Sequence, residues 1–189
     1  FYNGLRRQLV DATPNAGHRL LAEMERDYEM TIITQNVDDL HERAGSGRVI
    51  HLHGELMKAC SSADPADPRH RITLPADDHL DIVAGQRAGD GSLLRPFIVW
   101  FGEPVPLISQ AAEVVSQADA LVIIGTSLAV YPAAGLIDAA RADAPIFLID
   151  PNEVPTPRHR HVRLIRDVAS RGVATLREEL RQLPLFQTS

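Results

Sequence analysis

The chain has 189 residues, a net charge of −6, 44% hydrophobic and 23% charged residues, and a single cysteine, Cys60. That length holds one α/β domain with a real core, or one such domain carrying a small insertion. The acidic balance argues against nucleic acid as a direct partner, and no apolar run reaches the roughly 20 residues that cross a bilayer, which argues against a membrane one. One cysteine allows no intrachain disulfide, and no signal-peptide pattern is visible, so the expected location is cytoplasmic.

Residues 2–10 read as a basic amphipathic helix that Gly4 weakens. Because the chain opens at Phe1 inside this helix, a preceding segment is expected. After a break at 11–15, Thr13 reads as a cap and Pro14 as a first-turn residue. The helix they start runs to about Asp27 with Ala16, Leu20, Leu21 and Met24 inward. Residues 30–34 form an apolar strand, 38–44 a short helix and 49–51 a second strand, a rhythm that predicts a parallel sheet. Residues 57–95 are rich in Asp, Pro, Arg, Ser and Gly and read as a loop-rich excursion. Residues 97–101 bring the chain back as a strand. A helix at 107–117, a strand at 120–124, a helix at 133–141 and a strand at 146–149 follow. A weaker strand at 162–165 and a helix at 173–183 close the chain.

Polar groups crowd the ends of these strands, where open α/β sheets build ligand sites. Gly125, Thr126 and Ser127 follow a continuous apolar strand; glycine admits a phosphate close to the backbone and the hydroxyls donate to it, although an ordinary turn has the same composition. Asp150, before Pro151 and Asn152, suits ribose hydroxyls or a solvated turn. His53 precedes Gly54, and an imidazole freed by such a kink serves as a general base; a buried, satisfied histidine is the bland alternative, and it is the one given to His41 and His51. Gln35, Asn36 and Asp38 offer donors and acceptors, with helix capping open for Asn36 and Asp38. Cys60, His70 and His79 are too scattered for a structural zinc site, so no metal is expected.

Thr34, Gln35, Asn36, Val37 and Asp38 with Leu40 and His41, then His53, Gly54, Glu55 and Leu56, then Trp100 to Glu103, then Gly125 to Pro132, resemble the sirtuins. These are NAD-dependent protein lysine deacylases, and the bacterial branch is the most similar. The resemblance runs through nearly the whole chain in order. It implies an α/β fold, a Rossmann-like parallel sheet of the sirtuin/DHS type with a small inserted domain. Residues 13–54 and 101–189 would form the NAD-binding domain, and 1–12 and 55–100 the small one. It implies His53 as general base, and Gln35, Asn36, Val37 and Asp38 on the nicotinamide and its ribose. Gly125, Thr126 and Ser127 fall to the phosphates and adenosine side, Asp150, Pro151 and Asn152 to the adenosine ribose, and Ala169 to the adenine. Tyr2, Phe101, Gly102, Glu103, Val130 and Tyr131 fall to the acyl-lysine substrate, whose backbone would lie as a strand between two edges. The products implied are free lysine, nicotinamide and O-acyl-ADP-ribose.

Three departures from the family pattern qualify this. The glycine-rich opening strand and loop are absent from these residues, so the chain by itself is expected to be weak or inactive. The zinc cysteines are missing, and Pro-rich turns and apolar contacts are expected to hold the small domain instead. Sirtuins that remove acidic acyl groups carry Tyr-x-x-Arg in the first helix; here Tyr2 is present, but Leu5 takes the arginine position with Arg6 one residue on, about 100° around the helix. Deacetylation is therefore favoured over desuccinylation. ADP-ribosyl transfer on the same fold and a catalytically dead binding module are the alternatives.

Overall fold

The computed structural model of the chain describes residues 1–77, 80–157 and 161–186. α1 (Tyr2–Asp11) turns Arg6 and Leu9 inward. α2 (Ala16–Met24) begins at Asn15, whose side chain accepts from the His18 N–H while the His18 ring accepts from the Asn15 N–H. Asn15 thus replaces Thr13 as the cap, because its side chain and the His18 ring satisfy each other's backbone N–H groups in a reciprocal pair. Gly17, Leu21 and Met24 form the buried stripe; Ala16, expected inward, is exposed in the first turn, and the helix stops short of Asp27.

β1 (Ile32–Thr34) runs parallel to β2 (Val49–His51), with α3 (Leu40–Ala44) between them. α3 starts two residues later than expected because Asp38 Oδ1 takes the Leu40 N–H in a tight turn. The chain then enters β3 (Gly54–Ser61), which lies antiparallel between β4 (Ile72–Thr73) and β5 (Leu94–Ile98). The excursion is therefore a small sheet rather than a run of loops. A register shift between Gly54 and Ala59 breaks the two-residue periodicity that would have marked β3. β5 ends at Ile98 instead of reaching Phe101, since Trp100 to Glu103 closes a turn. Ala59, Leu74, Leu80 and Leu94 form the core of this sheet.

The end of β3 is tied down by a polar knot. Ser61 is fully buried; its Oγ donates to Asp90 at 2.6 Å, lies 2.8 Å from Ser92 Oγ and accepts the N–H groups of Ala63 and Asp64. The hydrogen bonds from Ser61 and Ser92 hold the Asp90 carboxyl down at about 2. A depressed carboxyl contributes stability above its unfolded value, so this contribution is lost as pH falls toward 2.

α4 (Ile108–Gln117) leads to β6 (Leu121–Ile124), followed by β7 (Ile146–Ile149) and β8 (Val162–Ile165) in a parallel sheet of order β6-β7-β8. The helix expected at 133–141 is a 3-10 turn, Ala133–Gly135, then one turn of α5 (Leu136–Ala139). α6 (Ala169–Gln182) begins four residues earlier than expected and packs Val173, Leu176 and Leu180 against α2 and β7. β7 is central and all four of its residues are buried, whereas the four apolar residues of β6 are each half-buried. Among the described residues β1 pairs only with β2 and β6 only with β7. Ile32, Val122 and Ile124 nevertheless pack against one shared core. The two parallel sheets are neighbours through this core, and among the described residues β1 and β6 each have one edge unpaired.

Candidate functional site

Past the ends of β1 and β2 the chain is braced by a set of cross-links. The Leu52 N–H bonds Thr34 O, the Leu56 N–H bonds Val37 O at 2.7 Å, and Thr34 Oγ1 accepts the Asn36 N–H at 3.0 Å. His53 Nδ1 lies 3.1 Å from Gln35 O. A carbonyl only accepts, so Nδ1 is the donor, and in the neutral ring that leaves the lone pair on Nε2, the tautomer a general base needs. His53 is half-buried, and its own carbonyl takes the Val99 N–H, which carries β5 and the turn after it to the histidine. Gln35, Asn36, Val37, Asp38 and His53 therefore come together. Asn36 is exposed, and Asp38 spends one carboxylate oxygen on Leu40.

His41 packs against His18 with ring centroids 4.7 Å apart. Burial lowers both rings' affinity for a proton, but His41 is half-buried with its Nδ1 lacking a hydrogen-bond partner, so it is not the satisfied histidine expected. His51 is buried, and it bridges Glu42 and the Asn36 carbonyl.

In the turn after β5, Phe101 is fully exposed, while Glu103 is half-buried. Arg95 grips Glu103 with two hydrogen bonds of 2.7 and 3.0 Å and lies 3.6 Å from the centre of the Trp100 ring. With the Trp100 N–H as a further donor, these bonds lower the Glu103 carboxyl. Tyr2 stacks on Trp100 at 6.4 Å, joining α1 to this turn. Phe101, Gly102, Val130 and Tyr131 lie in turns and bends, not in extended edges. Arg6 is entirely buried: Nε donates to Leu56 O at 3.0 Å and an NH group to Asn3 Oδ1 at 2.6 Å, and burial lowers its affinity for its proton. Leu5 beside it is half-buried.

The other sheet gathers a second set. The Gly125 N–H bonds Ile149 O, and the Asp150 N–H bonds Ile165 O, so the loops carrying Gly125 to Ser127 and Asp150 to Asn152 leave one end of the sheet together. Gly125 has φ +60°, and nothing lies within 4 Å of where a Cβ would stand. Thr126 Oγ1 accepts the Leu128 N–H at 3.2 Å. Asp150 is half-buried, and its Oδ1 accepts both the backbone and the side-chain amide of Asn152. Ala169 opens α6, its carbonyl beside Gly17 of α2. A cavity of about 220 Å³ lies between Leu128 and Tyr131 and the Pro155 to Pro157 segment.

Among the described residues no group of three or more His, Cys, Asp and Glu side chains could hold a metal ion. Cys60 is buried with its thiol toward Pro96 O, His70 pairs with Asp67, and His79 lies outside the described residues. No helix of the described residues is long and apolar enough to cross a membrane. Thr34 headed the first motif without a role of its own, and Arg95 and Glu42 were missed. The lone charge of Arg95 in an apolar run was the available signal, because a charge on a strand packed into the core needs a partner; Glu42 carried none.

Residues 1–132 match the Sir2 family. An NAD-dependent protein deacylase of Bacteroides thetaiotaomicron is 53% identical over 97% of this chain and 76% of its own length. One of Helicobacter pylori is 48% identical over 95% and 76%, and one of Mycobacterium tuberculosis 42% identical over 91% and 73%. Among solved structures, a Sir2 homolog–NAD complex superposes with a TM-score of 0.78 at 35% identity, over 95% of this chain and 71% of that one. A Sir2–p53 peptide–NAD+ complex superposes at 0.69 with 28% identity, over 91% and 72%.

Proposed function

The chain belongs to the Sir2 family, and from that premise we propose that it is an NAD-dependent protein deacylase of the bacterial sirtuin type, acting on acyl-lysine proteins. NAD supplies an activated ribose carbon from which nicotinamide leaves, and the acyl group departs as O-acyl-ADP-ribose. The residues present suit that molecule. Gly125, with open space over its α-carbon and two hydroxyls after it, accommodates a pyrophosphate, and the Asp150 carboxylate, with one oxygen engaged by Asn152, suits ribose hydroxyls. Asn36 orients the nicotinamide ribose and Asp38 holds the carboxamide. His53 takes a ribose hydroxyl proton on Nε2.

The observation that carries the reading is the 3.1 Å bond from His53 Nδ1 to the Gln35 carbonyl, which leaves Nε2 able to accept. Replacing His53 by Ala in the intact protein lowers kcat on an acetyl-lysine peptide by about 100-fold or more, with NAD affinity by calorimetry little changed. Full turnover by His53→Ala would sink the assignment.

Two finer points belong to the same proposal. Acetyl is preferred to succinyl, because Leu5 offers no charge and the Arg6 guanidinium is engaged by Leu56 and Asn3; dominant desuccinylation in paired peptide kinetics would reverse this. Residues 1–12 group with 55–100: Asn3 bonds the Ile82 backbone twice, Arg7 pairs with Asp81, and Arg6 bonds β3. The unpaired apolar edges of β1 and β6 support a further strand between them and weak activity for residues 1–189 alone. NAD affinity of these residues equal to that of the intact protein would count against it.

A further inference from the structure

Both ring nitrogens of His51 are committed. Nε2 lies 2.7 Å from Glu42 Oε1, and Nδ1 lies 3.4 Å from the Asn36 carbonyl oxygen. Both partners are acceptor oxygens, one at each end of the ring, and a carbonyl only accepts, so Nδ1 is the donor toward Asn36. The His51 side chain is only 7% exposed, while the Glu42 carboxylate is 41% exposed at the edge of α3. The ring is thus packed in place and steadied from its solvent side.

Asn36 is in the opposite situation. It is exposed, so little packing restrains its side chain. Its direction comes from the backbone, which is held on both sides of the α-carbon: Thr34 Oγ1 accepts the N–H and His51 donates to the C=O. Fixing those two peptide planes fixes the bond from Cα to Cβ. His53 grips the preceding carbonyl, that of Gln35, in the same way. Two histidines, one at the end of β2 and one just past it, therefore hold successive carbonyls of one loop. They differ in what the other nitrogen does: His53 has Nε2 to spare, and His51 has it bound to Glu42.

We infer that His51, held by Glu42, is a positioning residue that aims the Asn36 side chain at the nicotinamide ribose. The inference rests on the deacylase reading. It predicts a loss confined to the chemical step, because the aim of Asn36 matters most as charge develops on the ribose carbon.

Two substitutions of similar size separate this from a packing role. In His51→Gln the amide reaches toward Glu42 but leaves no donor for the Asn36 carbonyl. In His51→Asn the amide nitrogen takes the place of Nδ1 and keeps that donor. With the intact protein, NAD and an acetyl-lysine peptide, His51→Gln lowers kcat about tenfold with KM for NAD changed less than about twofold, and His51→Asn stays within about threefold of the unmodified enzyme. Glu42→Ala, at the helix surface, lowers kcat about threefold with the melting temperature unchanged. Equal kcat in the Gln and Asn variants, or a loss that falls wholly on KM, overturns the inference. If His51→Gln does not fold, Glu42→Ala decides, and an unchanged kcat overturns it. His53→Ala in the same assay reads the premise separately: if it turns over normally, the deacylase assignment fails and the positioning role falls with it.

Discussion

The two sets of site residues sit on strand ends of the same kind but are built differently. The loop after β1 is cross-braced from outside itself: His53, His51 and Leu56 bond the successive carbonyls of Gln35, Asn36 and Val37. The loops after β6 and β7 hold mainly to themselves, through Thr126 to Leu128 and Asp150 to Asn152, with an open glycine at the head of the first. The contrast follows the chemistry proposed for each. A reacting centre requires groups held to within a fraction of an ångström before the substrate arrives. A pyrophosphate requires room and donors, and it organises a loose loop when it binds.

The largest test of this contrast compares two glycines of positive φ. Gly54 has φ +84°, and a Cβ there would run into the Phe97 carbonyl of β5; Gly125 has φ +60° and open space. Gly54→Ala therefore combines left-handed strain with a backbone overlap, and its stability should fall by roughly 3–5 kcal/mol in chemical denaturation, with activity lost. Gly125→Ala meets only the strain, about 1 kcal/mol, so it should remain folded while its KM for NAD rises severalfold. Equal losses of stability at the two positions would show that the two ends are built alike.

What was legible in the sequence divides along the same line. β7 and β6 were readable because their apolar runs are uninterrupted, and Gly125 to Ser127 and Asp150 could be placed at strand ends from those runs alone. β3 was not, since the irregular register after Gly54 mixes buried and half-buried residues over its eight positions. The cap of α2 was misplaced by two residues because Thr13 before Pro14 carries the same capping signature as Asn15, and the reciprocal bond that favours Asn15 comes from a His18 ring rather than the usual Glu or Gln. His53 stood out through the glycine after it. His51 did not, because its partners, Glu42 and the Asn36 carbonyl, lie nine and fifteen residues away on other elements, and no local pattern encodes that meeting. The braces of the first loop are tertiary, whereas the turns of the second are made by near neighbours. Residue-level patterns therefore reveal the second better than the first.

A finer test uses the threonines that begin the two loops. Thr34 Oγ1 accepts the N–H two residues on, that of Asn36, and Thr126 Oγ1 accepts the N–H two residues on, that of Leu128. The local turn is the same, but Thr34 is buried and Thr126 only half-buried. Valine keeps the shape and removes the acceptor. Thr34→Val leaves an amide beside a buried side chain without its partner and should cost about 1 kcal/mol, whereas Thr126→Val lets water replace the hydroxyl and should cost less than about 0.5 kcal/mol. The kinetic split should be sharper than the thermodynamic one. Thr34→Val frees one of the two bonds that aim Asn36 and so lowers kcat, while Thr126→Val disturbs a loop that tightens around the phosphates and so raises KM for NAD. If both substitutions act on KM alone, the braces after β1 contribute to binding and not to the chemical step, and the two ends of the site differ only in packing.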